Sequence, residues 1–323
     1  MRVVLVDPSR TVLKYITRIL AARDHDVRPF VEAREALSYI RSDPEVSALI
    51  TSSELLTMSG TELCWEARLL ASHRRPIYII LMSSNENPAN LIKALDSGAD
   101  DFIGKPPVPE ELYARLRAAE RLTSMQRELI RLATTDPLTG VCNRRSFFEM
   151  AEQICARAGP ETSLSAIMID IDHFKQINDH YGHDIGDAAI RAVADLAASE
   201  SPTVGRLGGE EFAFLLESTE LSKAMQCAEH LRAHVAALQI ETAQGPMQLT
   251  CSFGVSEWRP GDTIDRLLRR ADAALYLAKD MGRNRVVGEM DLLPGDYNKP
   301  GSVIRAESAR AASAPQLAVT TAQ

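Results

Sequence analysis

The sequence has few cysteines and none of the spacings that build a zinc finger or a disulfide framework. Its five cysteines are odd in number, lie far apart and form no Cys-x-x-Cys pair; they are Cys64, Cys142, Cys155, Cys227 and Cys251. Neither a disulfide-stapled fold nor a zinc site is predicted from this pattern. The pattern fits a reducing compartment, and we expect a cytoplasmic protein.

The sequence also lacks an excess of positive charge and a long apolar run. A formal net charge of −8 and a pI near 5.5 argue against a nucleic-acid-binding protein, which normally carries a basic domain or stripe. The longest apolar run, PIYIILM, is too short to span a bilayer, and the opening residues MRVVLVDPSR lack the apolar core of a signal peptide. We therefore expect no nucleic-acid partner and no membrane anchor.

The sequence does have the length and apolar content for two domains, with 323 residues of which 45% are hydrophobic. From Val3 to about Leu116, short apolar runs alternate with helical patterns, which predicts a doubly wound, flavodoxin-like α/β domain. In such a domain the functional groups follow the strands at one edge of the sheet. The residues expected at this edge are Asp7, Ser52, Ser83 and Lys105.

One long helix is predicted from Glu110 to Ala133, where neither proline nor glycine occurs. Its apolar residues recur at spacings of three and four, as in a coiled-coil seam. They are Leu112, Leu116, Ala119, Leu122, Met125, Leu129 and Leu132. The spacing slips by one between Ala119 and Leu122, so a strict heptad is not kept. For the first half of the helix, ordinary amphipathic packing on the first domain is an equal alternative.

A second domain of the α+β class is predicted after this helix, because strand patterns such as SAIMIDI and LTCSFGVSE mix with long helical patterns. The last segment is rich in Ala, Ser, Pro and Gly and is predicted to be disordered. We divide the chain into a first domain at 1–121, a linker helix at 122–134, a second domain at 135–288 and a tail at 289–323.

In the second domain, the segment RLGGEEF places two glycines directly before Glu210 and Glu211 within a strand-like alternation. The glycines predict a hairpin turn at Gly208 and Gly209 with positive φ at both, and their missing Cβ lets another backbone or a phosphate come close. By itself, this segment is a plain hairpin with solvated glutamates.

A second acidic segment changes that interpretation. AIMIDIDHF ends an apolar strand with Asp170 and Asp172 on one face. If this strand lies beside the hairpin, Asp170 and Glu210 converge, with Glu211 as a further candidate. Clustered carboxylates repel one another unless a cation lies among them, and oxygen ligands suit Mg²⁺ or Mn²⁺. Such an ion normally implies a phosphate substrate.

Other polar residues match the needs of a nucleoside triphosphate. Lys175 is able to meet phosphate, while Asn178 and Asp187 have the groups to bind a guanine edge. Lys279 and Arg283 lie four apart, on one face of a predicted helix. Taken singly, each of these residues is more often a solvated surface residue.

Five ordered segments resemble the GGDEF family of diguanylate cyclases over about Asp136 to Gly288. They are DPLTGVCNRR, DIDHFKQINDHYGHDIGD, RLGGEEF, SFGV and ADAALYLAKDMGRN, with Glu in place of Asp at the third position of the motif. The family joins two GTP molecules into cyclic di-GMP, each 3′-hydroxyl attacking the α-phosphate of the other with loss of pyrophosphate. The resemblance therefore implies GTP as substrate and a homodimer.

The resemblance also assigns roles to individual residues of this sequence. The metal ligands are Asp170, the Ile171 carbonyl and Glu210, with Glu211 as a further ligand or proton acceptor. The implied substrate contacts are Asn178 and Asp187 to guanine, and Phe174, Lys175, Gly208, Gly209, Lys279 and Arg283 to the phosphates. The implied catalytic residues are Glu210, Glu211 and Lys175. His183 stays outside the catalytic set, because a helix-start or packing histidine is as common.

One departure from the family concerns its inhibitory product site, which is built on an RxxD sequence ahead of the hairpin. The corresponding stretch here reads Ser199, Glu200, Ser201 and Pro202, without the Arg or the Asp. We expect no product inhibition through that site.

Residues 1 to about 121 resemble the receiver domain of response regulators, but with a degenerate phosphorylation site. Asp7 is followed by Pro8 instead of a second acid, and Ser52 stands where the aspartate phosphoacceptor belongs. Ser83 and Lys105 match the pattern. Without the aspartate, acyl-phosphate formation has no nucleophile. We expect this domain to serve dimerisation or a protein partner.

Two other functions stay open at this point. One is a catalytically silent GTP-binding or scaffold protein of cyclic di-GMP signalling. The other is a cyclase that uses another purine nucleotide, since guanine selection by Asn178 and Asp187 is implied by resemblance alone.

Overall fold

The computed structural model describes residues 1–71, 75–84, 87–159 and 161–293, and the chain separates into two compact units, Met1–Ala133 and Thr134–Gln323. The predicted tail from residue 294 onward lies outside the described residues. Within the described ranges, no helix has the length and apolar character needed to cross a bilayer.

The first unit is a five-stranded parallel sheet in the order β2-β1-β3-β4-β5, which confirms the predicted doubly wound fold. Its central strand β3 is buried along its whole length because helices cover both faces of the sheet. The strands are β1 Arg2–Val6, β2 Asp26–Phe30, β3 Val46–Ser52, β4 Tyr78–Ser83 and β5 Asp101–Gly104. The helices are α1 Arg10–Ala21, α2 Ala33–Ser42, α3 Gly60–Leu70, α4 Pro88–Asp96 and α5 Pro109–Thr134.

Helix α5 is continuous through the predicted linker, and its two halves differ in exposure. In the first half, Leu112, Leu116 and Ala119 are buried in the core of the first unit. In the second half, the apolar side chains are exposed; they are Leu122, Met125, Leu129 and Leu132, here called the α5 seam. The apolar spacing slips directly after Ala119, and this is also where the apolar side chains stop packing in the core and become exposed.

The second unit is a six-stranded mixed sheet in the order β11-β10-β7-β9-β8-β6, which confirms the predicted α+β class. The strands are β6 Cys142–Asn143, β7 Leu164–Ile171, β8 Val204–Gly208, β9 Glu211–Glu217, β10 Cys251–Glu257 and β11 Val286–Gly288. The helices are α6 Arg144–Arg157, α7 Phe174–Tyr181, α8 His183–Glu200, α9 Leu221–Ala237 and α10 Ile264–Asp280, followed by a 3-10 helix at Glu289–Asp291.

The middle strand β7 pairs antiparallel with both β9 and β10 and is buried throughout. Because successive side chains of a strand point to opposite faces, Ile167 and Ile169 pack under α8 and α9 while Met168 packs under α6 and α10. Helix α10 lies so close to the sheet that a Cβ at Gly254 of β10 would stand 2.0 Å from the Ala271 carbonyl oxygen. This layering fixes the ends of β7 and α10 relative to each other.

The packed chain continues beyond Gly288, the predicted end of the second domain. Glu289 is buried, and its carboxylate lies 2.5 Å from Arg270 Nε on α10. Arg270 also pairs with Asp262 at 2.5 Å, and its side chain is only 10% exposed. Leu292 packs with the alanines of α10 and with Val287. The first residues of the predicted tail thus belong to the packed unit.

Candidate active site

The two acidic segments meet on neighbouring strands. Strands β7 and β9 pair with Asp170 directly opposite Glu211, and the hairpin of β8 and β9 carries Glu210 at its turn. Residues opposite each other in an antiparallel pair have Cβ atoms about 4.5–5.5 Å apart. The register therefore brings together the carboxylates that the sequence pattern placed on separate segments.

The cluster is short of positive charge and partly withdrawn from water. Burial raises the pKa of Asp170 to about 6, with Glu210 and Asp172 adding repulsion and Lys279 opposing the shift. Burial likewise raises the pKa of Glu211 to about 7, with a further contribution from Asp170. The pKa values of both carboxyl groups therefore lie near neutral pH in the absence of metal. A bound cation would lower these pKa values and favour the charged carboxylates.

One cation of the chain already lies against this cluster. Lys279 Nζ, in the last turn of α10, is 2.6 Å from Asp170 Oδ2. In the described part of the chain, no three acidic, histidine or cysteine side chains already surround a point as metal ligands. The carboxylate oxygens are nevertheless of the type that hard divalent cations prefer. The Lys279 ammonium partly offsets the negative charge of these carboxylates.

Helix α7 presents polar groups beside the end of β7. Its first residues, Phe174 and Lys175, have backbone amides without intrahelical acceptors, and His173 before them has φ of 57°. The Asn178 Oδ1 atom is buried and has no hydrogen-bond partner among the described residues. A buried unpaired acceptor is costly, and a ligand donor is one way to satisfy it.

The contact between α7 and α8 depends on a glycine. A Cβ at Gly186 would lie 1.9 Å from Asn178 Oδ1, so only glycine leaves room for this side chain. Asp187 follows on α8 and is half-buried. His183 is the exposed first residue of α8, the helix-start position considered from the sequence.

Comparison with known proteins matches both units. A family model described as "Diguanylate cyclase, GGDEF domain" matches residues 133–285, and one for the response regulator receiver domain matches residues 3–117. The solved coiled coil and GGDEF domain of DgcB from Caulobacter crescentus, in complex with c-di-GMP, is 35% identical with a TM-score of 0.50. The match covers 55% of this chain and 98% of that structure. The chain belongs to the GGDEF family.

Two curated relatives extend this finding. The response regulator PleD of Caulobacter vibrioides is 34% identical over 304 residues, which is 89% of this chain and 66% of PleD. The diguanylate cyclase VdcA of Vibrio cholerae is 42% identical over 178 residues, which is 53% of this chain and 50% of VdcA. The chain therefore spans between half and two thirds of the length of these relatives.

The turn of the GGDEF motif differs from the predicted one in its backbone. Positive φ was predicted at both glycines, but only Gly209 has it, at 52°. A Cβ at Gly208 or Gly209 would meet nothing within 4 Å, so the space beside the turn is open. Arg206 braces the turn by donating to the Gly209 carbonyl at 2.8 Å and to Asp136 Oδ1 at 3.0 Å. Both residues belong to the quoted motifs, but no role was predicted for them.

The predicted pairing of Lys279 and Arg283 on one helical face is wrong. Helix α10 ends at Asp280, and Arg283 lies in the following loop with φ of 65°. The helical spacing extended past Gly282, whose φ of 110° already departs from the helix. Of these two residues, Lys279 is the one that forms an ion pair with Asp170 among the described contacts.

The GGDEF domain contains two buried acids that the sequence analysis did not assign. Asp272 on α10 has its pKa raised to about 6 by burial, and it adds repulsion at Glu211. Asp172 accepts hydrogen bonds from Thr250 Oγ1 and Ser252 Oγ, each at 2.7 Å, and so supports the end of β7. In the sequence, Asp272 is an acidic residue among the apolar positions of a predicted helix, and this pattern indicates a buried carboxylate.

In the receiver domain, Asp7, Ser52, Ser83 and Lys105 follow or end four strands at one edge of the sheet. Lys105 Nζ is 2.5 Å from Asp7 Oδ2 and donates to Ser52 Oγ at 2.6 Å. The Ser52 side chain is fully buried, and its hydroxyl also bonds to the Glu54 backbone. Ser83 is buried nearby at the end of β4. The lysine thus neutralises the carboxylate of this site directly.

Proposed function

We propose that the chain is a diguanylate cyclase that condenses two GTP molecules into cyclic di-GMP and releases two pyrophosphates. The observation that carries this proposal is the antiparallel register that sets Asp170 opposite Glu211, one residue from Glu210 of the turn. It places three carboxylates beside an open glycine turn, where a triphosphate has room to approach. Family membership supports the same reaction.

The divalent cation that GGDEF cyclases use is assigned here to Asp170, the Ile171 carbonyl, Glu210 and Glu211. Their oxygen ligands fit Mg²⁺, with Mn²⁺ as a substitute, and the raised pKa values of Asp170 and Glu211 reflect carboxylates that a cation would stabilise. When bound, the ion supplies charge neutralisation at the α-phosphate and at the attacking oxygen.

The chain's own groups position the substrate and accept a proton. Asn178, with its unpaired Oδ1, and Asp187 hold the guanine, while the amides that open α7 and the Lys175 ammonium hold the phosphates. The ribose 3′-oxygen forms a bond to the α-phosphorus of the second GTP, and the bond to pyrophosphate breaks. Glu211, opposite Asp170 on the neighbouring strand, is assigned as the acceptor of the hydroxyl proton. Lys279 and Arg283 are assigned to the phosphates.

The reaction requires two chains, because each GGDEF domain holds one of the two GTP molecules. The α5 seam offers uncovered apolar side chains at the alternating spacing of a two-stranded coil. We assign the dimer to this seam together with the receiver domain. Since Lys105 already neutralises Asp7 and Ser52 replaces the phosphoacceptor, the activity does not depend on receiver phosphorylation.

The proposal is tested by incubating the purified chain with GTP and Mg²⁺, without any phosphodonor, and separating the products by chromatography. Glu210→Ala removes one carboxylate of the cluster and is expected to abolish cyclic di-GMP formation. Glu217→Ala, at the exposed far end of β9, is the matched control and should keep the activity. Absence of product from the wild-type dimer, or equal product from Glu210→Ala, would contradict the proposal. Replacing GTP by ATP tests the choice of base.

A further inference from the structure

A groove of about 480 Å³ lies on the receiver domain between helix α1 and strand β2, and it is here called the α1 groove. Strand β2 is at the edge of the sheet. The apolar residues that line the groove are Leu13, Ala21, Pro29 and Val31. Leu13 is buried, Val31 is half-buried, and the other two are exposed. The groove is therefore an apolar surface that opens to solvent.

A row of cations borders the α1 groove. Arg10, Lys14 and Arg18 line it, and their spacing of four residues places them one per turn along the same side of α1. All three are exposed, and none of them forms an ion pair within the described part of the chain. The sequence of α1 contains no acidic residue, although the whole chain has a net charge of −8. The row is thus a local excess of positive charge beside an apolar surface.

This combination fits an acidic amphipathic segment of a protein. The apolar side chains of such a segment would fill the groove, while its carboxylates would face the cations. From Arg10 to Arg18 the helix rises about 12 Å, so the matching acids should recur about once per helical turn over two turns. Burial of apolar area would supply most of the affinity, and the charges would select the partner.

The edge strand favours a helix over an added strand as the occupant. Strand β2 pairs with β1 on one side and ends the sheet on the other. A strand added to this edge would need backbone donors along β2, but Pro29 has no backbone N–H. A helix needs no such donors, because its own backbone groups are paired internally.

The packing of α1 argues against a lipid surface as the occupant. A helix that binds in a membrane interface needs a free apolar face that enters the acyl region. The apolar face of α1 is instead buried in the receiver core, where Leu13, Ile16 and Leu20 pack in one cluster with Leu112 and Leu116 of α5. What α1 leaves exposed is its row of cations and the adjoining groove.

We propose that the α1 groove docks an acidic amphipathic helix of a protein partner, whose carboxylates pair with Arg10, Lys14 and Arg18. Such docking needs no phosphoryl group on the receiver domain. The groove shares no residue with the α5 seam or with the acidic cluster of the GGDEF domain. The proposal is therefore independent of the proposed cyclase reaction.

The test is fluorescence anisotropy of a labelled synthetic peptide titrated with the full chain. The peptide has about 18 residues, a length at which an isolated helix is able to form, with glutamates one per turn on one side and leucines beside them. Binding should weaken as salt rises from about 0.1 to about 0.5 M, because exposed ion pairs are screened. A second peptide, with lysine in place of each glutamate, should not bind. Absence of binding by the glutamate peptide, or equal binding of both peptides, would overturn the proposal.

Charge reversal assigns the binding to α1. A variant with Lys14→Glu and Arg18→Glu should bind the glutamate peptide about tenfold more weakly and should gain affinity for the lysine peptide. The matched control carries Arg34→Glu and Arg41→Glu, two exposed cations of α2, and should bind like the wild type. Circular dichroism checks the fold of both variants. Unchanged binding in the α1 variant, or an equal loss in the control, would contradict the assignment.

Two other occupants of the groove would give different results. If the wild-type chain, but not the α1 variant, pellets with vesicles of phosphatidylglycerol and phosphatidylcholine, the occupant is an anionic membrane and the proposal is wrong. If the α1 variant differs from the wild type in oligomeric mass by light scattering, the groove binds a second copy of this chain and the proposal is also wrong. Unchanged mass and no pelleting are the results expected for a partner helix.

Discussion

Replacing Gly186 by alanine is expected to impair guanine binding while leaving the fold intact. The added Cβ would lie 1.9 Å from Asn178 Oδ1 and 3.0 Å from its Cγ. The Cβ is fixed to α8, whereas the amide is the far end of a flexible side chain, so Asn178 must rotate away. Phe174 Cζ, at 3.3 Å, must yield by only a few tenths of an ångström.

The size of the effect follows from the hydrogen bonds that the rotated amide no longer makes. An unsatisfied polar partner costs about 1–3 kcal/mol, which corresponds to a KM for GTP raised roughly 5- to 150-fold. Alanine is favoured over glycine within a helix by about 0.5–1 kcal/mol. This gain offsets the displacement of Asn178 and Phe174, so the midpoint of thermal unfolding should change little.

The assay is initial-rate kinetics with GTP and with ATP, together with thermal unfolding. Gly159→Ala is the matched control, because a Cβ there meets only Thr162 Oγ1, at 3.8 Å. A folded Gly186→Ala protein with unchanged KM and unchanged preference for GTP over ATP would refute the role of Asn178 in base recognition.

Three further predictions concern charge, assembly and the receiver. In the metal-free chain, the raised pKa values of Asp170, about 6, and Glu211, about 7, mean that the folded state binds more protons than the unfolded state. The stability that Glu211 contributes should therefore be lost as pH rises from about 4 to about 7, so the free energy of unfolding of the wild type relative to that of Glu211→Gln should fall over this range in urea unfolding with EDTA; a constant difference between the two proteins would contradict this. Placing glutamate at Met125 and Leu129 should shift the chain toward monomer in light scattering and lower the rate at equal concentration, and a fully active dimer would exclude the α5 seam. Beryllofluoride should leave the rate unchanged because Ser52 replaces the phosphoacceptor, and a clear stimulation would count against that conclusion.

Helix α5 shows what periodicity alone was able to predict. The apolar spacing predicted the helix and the slip at residue 119, but left two alternatives for what its face contacts. In the structure, Leu116 and Ala119 belong to the receiver core, and Leu122 begins the uncovered seam. Packing on the first domain describes the first half of the helix, while the coiled-coil seam stays a prediction for the second half. Tertiary burial, which the local pattern does not contain, separates the two halves.

The candidate site was predictable where strand geometry governs it. The two-residue period placed Asp170 and Asp172 on one face of the strand, and the observed pairing of Asp170 with Glu211 needed only β7 and β9 to be neighbours in the sheet. Residues brought in by helix packing were harder to find. Asp272 is contributed by α10, a helix that packs on the sheet. Arg283 lies outside α10 because the backbone turns at Gly282. Neither follows from spacing within one segment.

The contact between Glu289 and Arg270 limits where the GGDEF domain can be cut out of the chain. A chain cut after residue 285, where the family match ends, or after Gly288 removes Glu289, one of the two carboxylates that pair with Arg270. Breaking a buried ion pair by removing one partner costs about 3–5 kcal/mol, a large share of the roughly 5–15 kcal/mol that holds a domain folded. An isolated GGDEF fragment that retains Leu292 keeps both this ion pair and the apolar contact of Leu292 with α10.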